Sequence, residues 1–178
     1  NAGNATATSD SANATVDNVA PTVTDAKISI RGAGGTSGAY KVGDTVTATW
    51  SNTASGDNNS DTISTVSVNF SAFGGGTAVS ASNSSGTWTA TYTIVAGSMD
   101  GTSLNVSVTA TDNAGNATTT SDSTNATVDN AAPTVTDAKI SINGASGISG
   151  AFKIGDTVTA TWNNTSSGDN NSDTISTV

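Results

Sequence analysis

Residues 1–18 of this chain, NAGNATATSDSANATVDN, return at 113–130 as NAGNATTTSDSTNATVDN. The echo continues through VAPTVTDAKISIRGAGGTSGAYKVGDTVTATW at 19–50, which returns as AAPTVTDAKISINGASGISGAFKIGDTVTATW at 131–162. Of the 66 positions comparable at this offset of 112, 10 differ and 56 are identical. A long period of this kind reads as an array of copies of one module. Solenoid repeats and propeller blades run at roughly 20–50 residues, whereas this period is the size of an ordinary domain. Each copy is therefore expected to bury its own core. An enzyme needs one site; near-identical copies serve length, valency or lattice formation instead, and no enzymatic activity is expected.

The period divides the chain into three parts. Residues 17–128 form one complete copy, residues 1–16 resemble the last strand of a preceding copy, and 129–178 supply the first strands of an incomplete next one. Half a module should expose its core face. The expectation is a slice of a longer array, or partial modules completed by neighbouring chains.

The chain contains no Glu, Gln, His or Cys, one Leu (Leu104), and all 14 acids are Asp. Strong helix formers apart from Ala are nearly missing. Thr, Ser, Val, Asn and Gly favour strands joined by turns, so the fold class is all-β. Period-two alternation marks strands at 22–30 (Ala26, Ile28 and Ile30 on one side) and 44–50 (Val46, Ala48 and Trp50 inward). Further strands fall at 64–70 (Val66, Val68, Phe70), 87–94 (Trp88, Ala90, Tyr92, Ile94), 103–110 (Leu104, Val106, Val108, Ala110) and 124–128. A short edge strand is expected near 77–80. Ile63 falls out of phase, which predicts a bulge there. About seven short strands with turns between them is the pattern of an immunoglobulin-like sandwich.

Charged residues make up 11 % of the chain and the net charge is −9, against roughly 25 % charged in typical domains. That balance excludes a basic nucleic-acid groove and argues against binding an anionic membrane. No apolar run approaches the roughly 20 residues of a membrane span, so direct membrane insertion is not expected. The lack of Cys suits an extracellular protein of the bacterial surface.

In an immunoglobulin-like topology three acidic stretches would share one pole: Asp17-Asn18, SGDNNSD at 55–61 and TDNAGN at 111–116. Asp17, Asn18, Asp57, Asn59, Asp61, Asp112 and Asn116 could then converge. Carboxylates gathered there repel one another unless a cation sits among them, and a hard cation with flexible oxygen ligands is most naturally Ca²⁺. A second cation at Asp129, Asp169 and Asp173, with Asp100, would sit at the joint between copies. The alternative is turn chemistry, since Asp and Asn side chains bond their own backbone. DNNSD does not match the EF-hand loop, which needs Gly at its sixth position and a terminal Glu.

VDNVAPTVT at the start of the copy, VGDTVTATW as its second strand and VTATDNAGNAT toward its end resemble the bacterial immunoglobulin-like (Big-type) tandem repeats of giant surface adhesins, including biofilm-associated and RTX-type adhesins. The resemblance spans the whole copy. It implies a stalk module, Ca²⁺ between domains, and binding specificity held elsewhere. The Asp-Asn-x-Ala-Pro linker is similar to the calcium-binding linkers of cadherins, which implies Asp17 and Asp129 as ligands; the Glu ligands of cadherins are missing.

Other readings compete. Thr ladders at 45–49 and 87–93 could face ice, though Thr is simply a good exposed strand residue. Lys27 and Lys41, recurring as Lys139 and Lys153, could form Lys–Asn isopeptide bonds, though solvated edge lysines explain them equally well. The main rival is a self-assembling surface-layer, sheath or filament subunit with lateral chain-to-chain packing. Expected partners are accordingly neighbouring copies in the same chain, or identical chains.

Overall fold

A computed structural model describes residues 2–97, 100–173 and 175. The chain divides into two compact units, Asn1–Asn130 and Ala131–Val178.

Among its described residues the first unit has ten short strands. They are β1 (Ile28–Arg31), β2 (Thr45–Ser51), β3 (Ile63–Asn69), β4 (Val79–Ser80), β5 (Ser82–Ser84), β6 (Thr87–Thr93), β7 (Gly101–Leu104), β8 (Ser107–Asp112), β9 (Ala117–Ser121) and β10 (Ala126–Val128). Two four-stranded antiparallel sheets, ordered β1-β2-β6-β5 and β4-β3-β8-β9, form a β-sandwich, and β7 pairs with β10 beside them. The helical content is a few single 3₁₀ turns.

Alternation fixes the core. Val46, Ala48 and Trp50 of β2 and Trp88 and Ala90 of β6 are buried with Val66 and Val68 of β3 and Val108 and Ala110 of β8. Their neighbours in sequence are mostly Thr and Ser, which face outward in registered pairs such as Thr47 with Thr91 and Thr109 with Thr119. Phe73, from the 3₁₀ turn Ser71–Phe73, meets Tyr40 edge-on with ring centroids 5.9 Å apart. Such a ring pair contributes about 0.5–1.5 kcal/mol beyond burial, in a core with no disulfide.

Several local expectations change. Ala26 is exposed, because Asp25–Lys27 closes a 3₁₀ turn through the Lys27 N–H on the Thr24 carbonyl and breaks the two-residue period. The expected strand at 103–110 is two strands: β7 turns away to β10, with Ser103 at a left-handed φ of 58°. Leu104 is consequently only half-buried. The edge strand near 77–80 is β4, and the chain crosses at once through Ala81 to β5 on the other sheet. β9 was not expected, since its ATTTS offers no apolar alternation. The bulge expected at Ile63 is present as a register shift between Ile63 and Thr65.

Residues 2–16, expected as a last strand, carry no strand and are exposed throughout. The counterpart of their last part, β10, is ordered by β7 and by a parallel bridge from Tyr40 to Val128; among the described residues no such partner lies beside 2–16.

The second unit holds β11 (Ile140–Asn143) and β12 (Thr159–Trp162). They pair antiparallel with Ile140 opposite Trp162, matching Ile28 opposite Trp50 in the first unit. The third strand expected of this part falls largely outside the described residues. The apolar face of this unit is open: Ile140 is 45 % exposed where Ile28 is 5 %. A groove of about 310 Å³ is lined by Pro133, Val135, Ile140, Ala160, Trp162 and Ile175.

Candidate functional site

The 52–61 loop is built around a close approach. A Cβ on Gly56 would collide with the Ser51 carbonyl oxygen, so only glycine fits. The Gly56 N–H donates to Thr53 O and the Asp57 N–H to Ser51 O, and this turns the Asp57 carboxylate back over the sheet. Asp57 Oδ2 accepts from the Trp50 indole Nε1 at 2.7 Å and from the Thr24 N–H at 2.9 Å; Oδ1 accepts from Thr24 Oγ1 at 2.5 Å. Charge-assisted bonds of this kind are the strong ones.

Asn59 completes the brace. Its Oδ1 accepts from the Thr22 N–H at 2.7 Å, while its Nδ2 donates to Thr22 O at 2.9 Å and to Asn52 Oδ1 at 2.8 Å. One side-chain amide thus pairs with a backbone residue as a neighbouring strand would. Lys27 ties the same loop from the other side, its Nζ donating to Ser55 O at 2.8 Å.

A second brace comes from the β8–β9 turn. Asp112 is buried, and its Oδ1 accepts from the N–H groups of Ala114, Gly115 and Asn116 at 2.8, 2.8 and 2.9 Å. Its Oδ2 accepts from Asn116 Nδ2 at 3.0 Å. Burial alone would raise the Asp112 pKa, but the Asn116 side chain and the three backbone donors outweigh it, and the net shift is downward. The same Asn116 amide reaches Asp17 O at 3.3 Å and Val19 O at 3.5 Å. Asp17 in turn caps its own turn, Oδ1 accepting from the Val19 N–H at 3.1 Å.

The two loops expected at one pole therefore do meet on a common element, the incoming segment 17–24. Asp17, Asp57, Asn59, Asp112 and Asn116 all take part, as turn caps and braces. Asn18 is exposed, and half-buried Asp61 joins none of these bonds. Among the described residues no three acids are grouped so as to hold a metal ion. The oxygens of Asp57 and Asp112 all receive N–H or O–H donors.

At the end of the first unit, Asp100 Oδ1 accepts from the Asn130 N–H at 2.9 Å, and Asn130 Nδ2 donates to Val95 O at 3.3 Å. The Asp129 N–H donates to Tyr40 O at 2.8 Å while its side chain stays exposed. In the second unit Asp169 repeats the role of Asp57, accepting from Trp162 Nε1 at 2.7 Å and from Thr136 N–H and Oγ1 at 2.9 and 2.6 Å. These bonds from Thr136 and Trp162 hold its pKa below the ordinary carboxylate value. Asp173 is half-buried.

Three further polar anchors escaped the sequence reading. Asp25 accepts from Ser123 N–H and Oγ at 2.9 and 2.6 Å. Thr120 Oγ1 donates to Val23 O at 2.6 Å. Asp44 receives Lys41 N–H, Gly34 N–H and Lys41 Nζ, which lower its pKa. Of these only the Lys41–Asp44 spacing recurs, as Lys153–Asp156, and so carried a signal in the sequence. No protein-family model, curated protein or solved structure matches this chain.

Proposed function

We propose that this chain is a spacer of tandem immunoglobulin-like sandwiches, a stalk or fibre module of a bacterial cell-surface adhesin. The observation that carries the reading is recurrence: the Thr24–Trp50–Asp57 brace returns bond for bond, 112 residues on, as Thr136–Trp162–Asp169. The strand orders β1-β2-β6-β5 and β4-β3-β8-β9 support the immunoglobulin-like topology. The braces on 17–24 support a stiff stalk, because they fasten the incoming chain to the sandwich body.

In this reading the stiffness comes first from hydrogen bonds. A Ca²⁺ contribution would have to use single carboxylates, Asp61, Asp129 or Asp173, with backbone oxygens and water. The test is the solution length of chains carrying one, two and three whole copies, measured by small-angle scattering in Ca²⁺ and in EDTA. A constant increment near 40 Å per copy is expected, since an eight-residue strand spans about 27 Å and loops add the rest. Lengths that grow only as the square root of copy number would sink the stiff spacer. A melting point that rises in Ca²⁺ but not Mg²⁺ would add the cation: a ligand at 100 times its dissociation constant contributes about 2.7 kcal/mol.

A further inference from the structure

The complete copy has three cationic side chains, Lys27, Arg31 and Lys41. Lys27 Nζ donates to Ser55 O, and Lys41 Nζ pairs with Asp44 at 3.1 Å. Arg31 makes no side-chain hydrogen bond or ion pair among the described residues, in a chain of net charge −9. It ends β1, and the Gly32 that follows has no room for a Cβ against the Thr45 carbonyl. Here the chain turns off the sheet beside a pocket of about 300 Å³, whose walls include Ile30, Arg31, Tyr40, Thr124, Asn125 and Ala126.

The polar walls have unused bonding capacity. Thr124 Oγ1 donates to Asp122 Oδ1 at 2.7 Å and keeps its lone pairs for another donor. Asn125 Oδ1 accepts from Asn105 Nδ2 at 3.0 Å, which leaves the Asn125 Nδ2 to donate. Ile30, Ala126 and the Tyr40 ring supply the apolar part of the lining.

The two copies differ most around this pocket. Of the 10 differing positions, five fall within 31–42: Arg31, Gly34, Thr36, Tyr40 and Val42 are replaced by Asn143, Ser146, Ile148, Phe152 and Ile154. The backbone is nearly unaffected. The 3₁₀ turn Thr36–Gly38 returns as Ile148–Gly150, and Gly32 and Gly144 have φ of 117° and 108°. The loop keeps its shape and changes its chemistry, which suits a surface that selects a ligand.

We propose that this pocket binds a small acidic sugar, one hydroxylated ring bearing a carboxylate, and that Arg31 selects it. A planar guanidinium meets a carboxylate with two parallel N–H bonds. Thr124 and Asn125 meet ring hydroxyls as acceptor and donor, and the apolar walls take the C–H face of the ring. Asp122, buried behind Thr124, sets the direction: the carboxylate lies toward Arg31 and the hydroxyls toward Thr124. The volume is at the lower end of the range for small-molecule sites, about 300–1,000 Å³, so it holds a single ring. The site lies within one copy and does not depend on the spacer reading.

The test is amide NMR of the whole chain titrated with glucuronate, glucose and acetate. Glucuronate should give saturable shifts at Arg31, Gly32, Thr124 and Asn125 in the millimolar range. Glucose and acetate should each bind about tenfold or more weakly, since each lacks one half of the recognition. Arg31→Asn places the other copy's residue on a loop that already folds with it, and should abolish the preference for glucuronate over glucose. Thr124→Ala should weaken both sugars by a smaller, equal factor. Glucuronate without a saturable shift, acetate binding as tightly as glucuronate, or R31N binding glucuronate as wild type does would each overturn the proposal.

Discussion

Residues 22–57 and 134–169 carry nearly the same sequence and settle into the same local structure under opposite conditions of burial. Both contain the 3₁₀ turn DAK, the paired strands with Ile opposite Trp, and the Trp–Asp–Thr brace. In the first the strands lie against β3 and β8; in the second that face is open. The hydrogen-bonded frame is thus written within about 36 residues, whereas the core is a joint property of both halves of a copy. Bonds to charged groups contribute about 1.5–3 kcal/mol each. Full burial of a large apolar side chain contributes a similar amount, but only where the opposite sheet is present.

The largest break in the comparison should come from the core. Trp50→Ala is expected to cost the first unit about 3–5 kcal/mol, the range for a buried Trp. The equivalent Trp162→Ala should change little beyond loss of the indole bond. Chemical denaturation followed by circular dichroism separates the two; equal losses would mean that the second unit is buried in solution. Next in size is Gly56→Ala, which places a Cβ against the Ser51 carbonyl and should cost about 1–3 kcal/mol through overpacking. Gly168→Ala meets Asn163 O in the same way, and both variants should shift their own Trp indole N–H resonance. A shift in only one would contradict a locally written loop.

Asp57→Asn removes the charge that receives Trp50 Nε1 and Thr24, and should cost about 1–3 kcal/mol. Asp169→Asn should loosen its own indole in the same direction. The smallest effect to sharpen the comparison is pH. Asp44 and Asp112 in the first unit, and Asp156 and Asp169 in the second, have pKa values below the ordinary 3.8. A depressed folded value means the stabilisation is present above pH 3.8 and is lost as pH falls through the lower folded value. The Trp162 indole signal, set by Asp169, should therefore hold from neutral pH to about pH 4 and change only in stronger acid. A transition of that signal centred near neutrality would assign the Trp162 brace to another group.

Much of this was legible from residue order. The period-two runs located β2, β3 and β6 and their inward residues, and Ile63 announced its bulge. Residues without apolar contrast were opaque: ATTTS of β9 becomes a strand only because β8 offers it a partner. The 3₁₀ turn at Asp25–Lys27 was hidden because Ala26 fits a strand period as well as a turn. At the candidate site, the loops 55–61 and 111–116 singled out in the sequence both bond the segment 17–24, through Asp57, Asn59 and Asn116. What the sequence could not specify was whether each carboxylate faces its fellows or a donor. That choice depends on Trp50 Nε1, Thr24 and the backbone N–H groups after Asp112, none of which betrays its direction in sequence.

The bridge between Tyr40 and Val128 is parallel, which has a mechanical consequence if the proposed stalk is placed under tension. Tension applied at the ends of a copy would pull the segment at Tyr40 toward its N-terminus and β10 toward its C-terminus. Two parallel segments drawn in those senses slide past one another at the bridge. Their bonds, from Tyr40 N–H to Thr127 O and from Asp129 N–H to Tyr40 O, are then strained together in shear instead of opening one after the other. In the proposed stalk this one bridge would resist tension in shear, out of proportion to its thermodynamic weight.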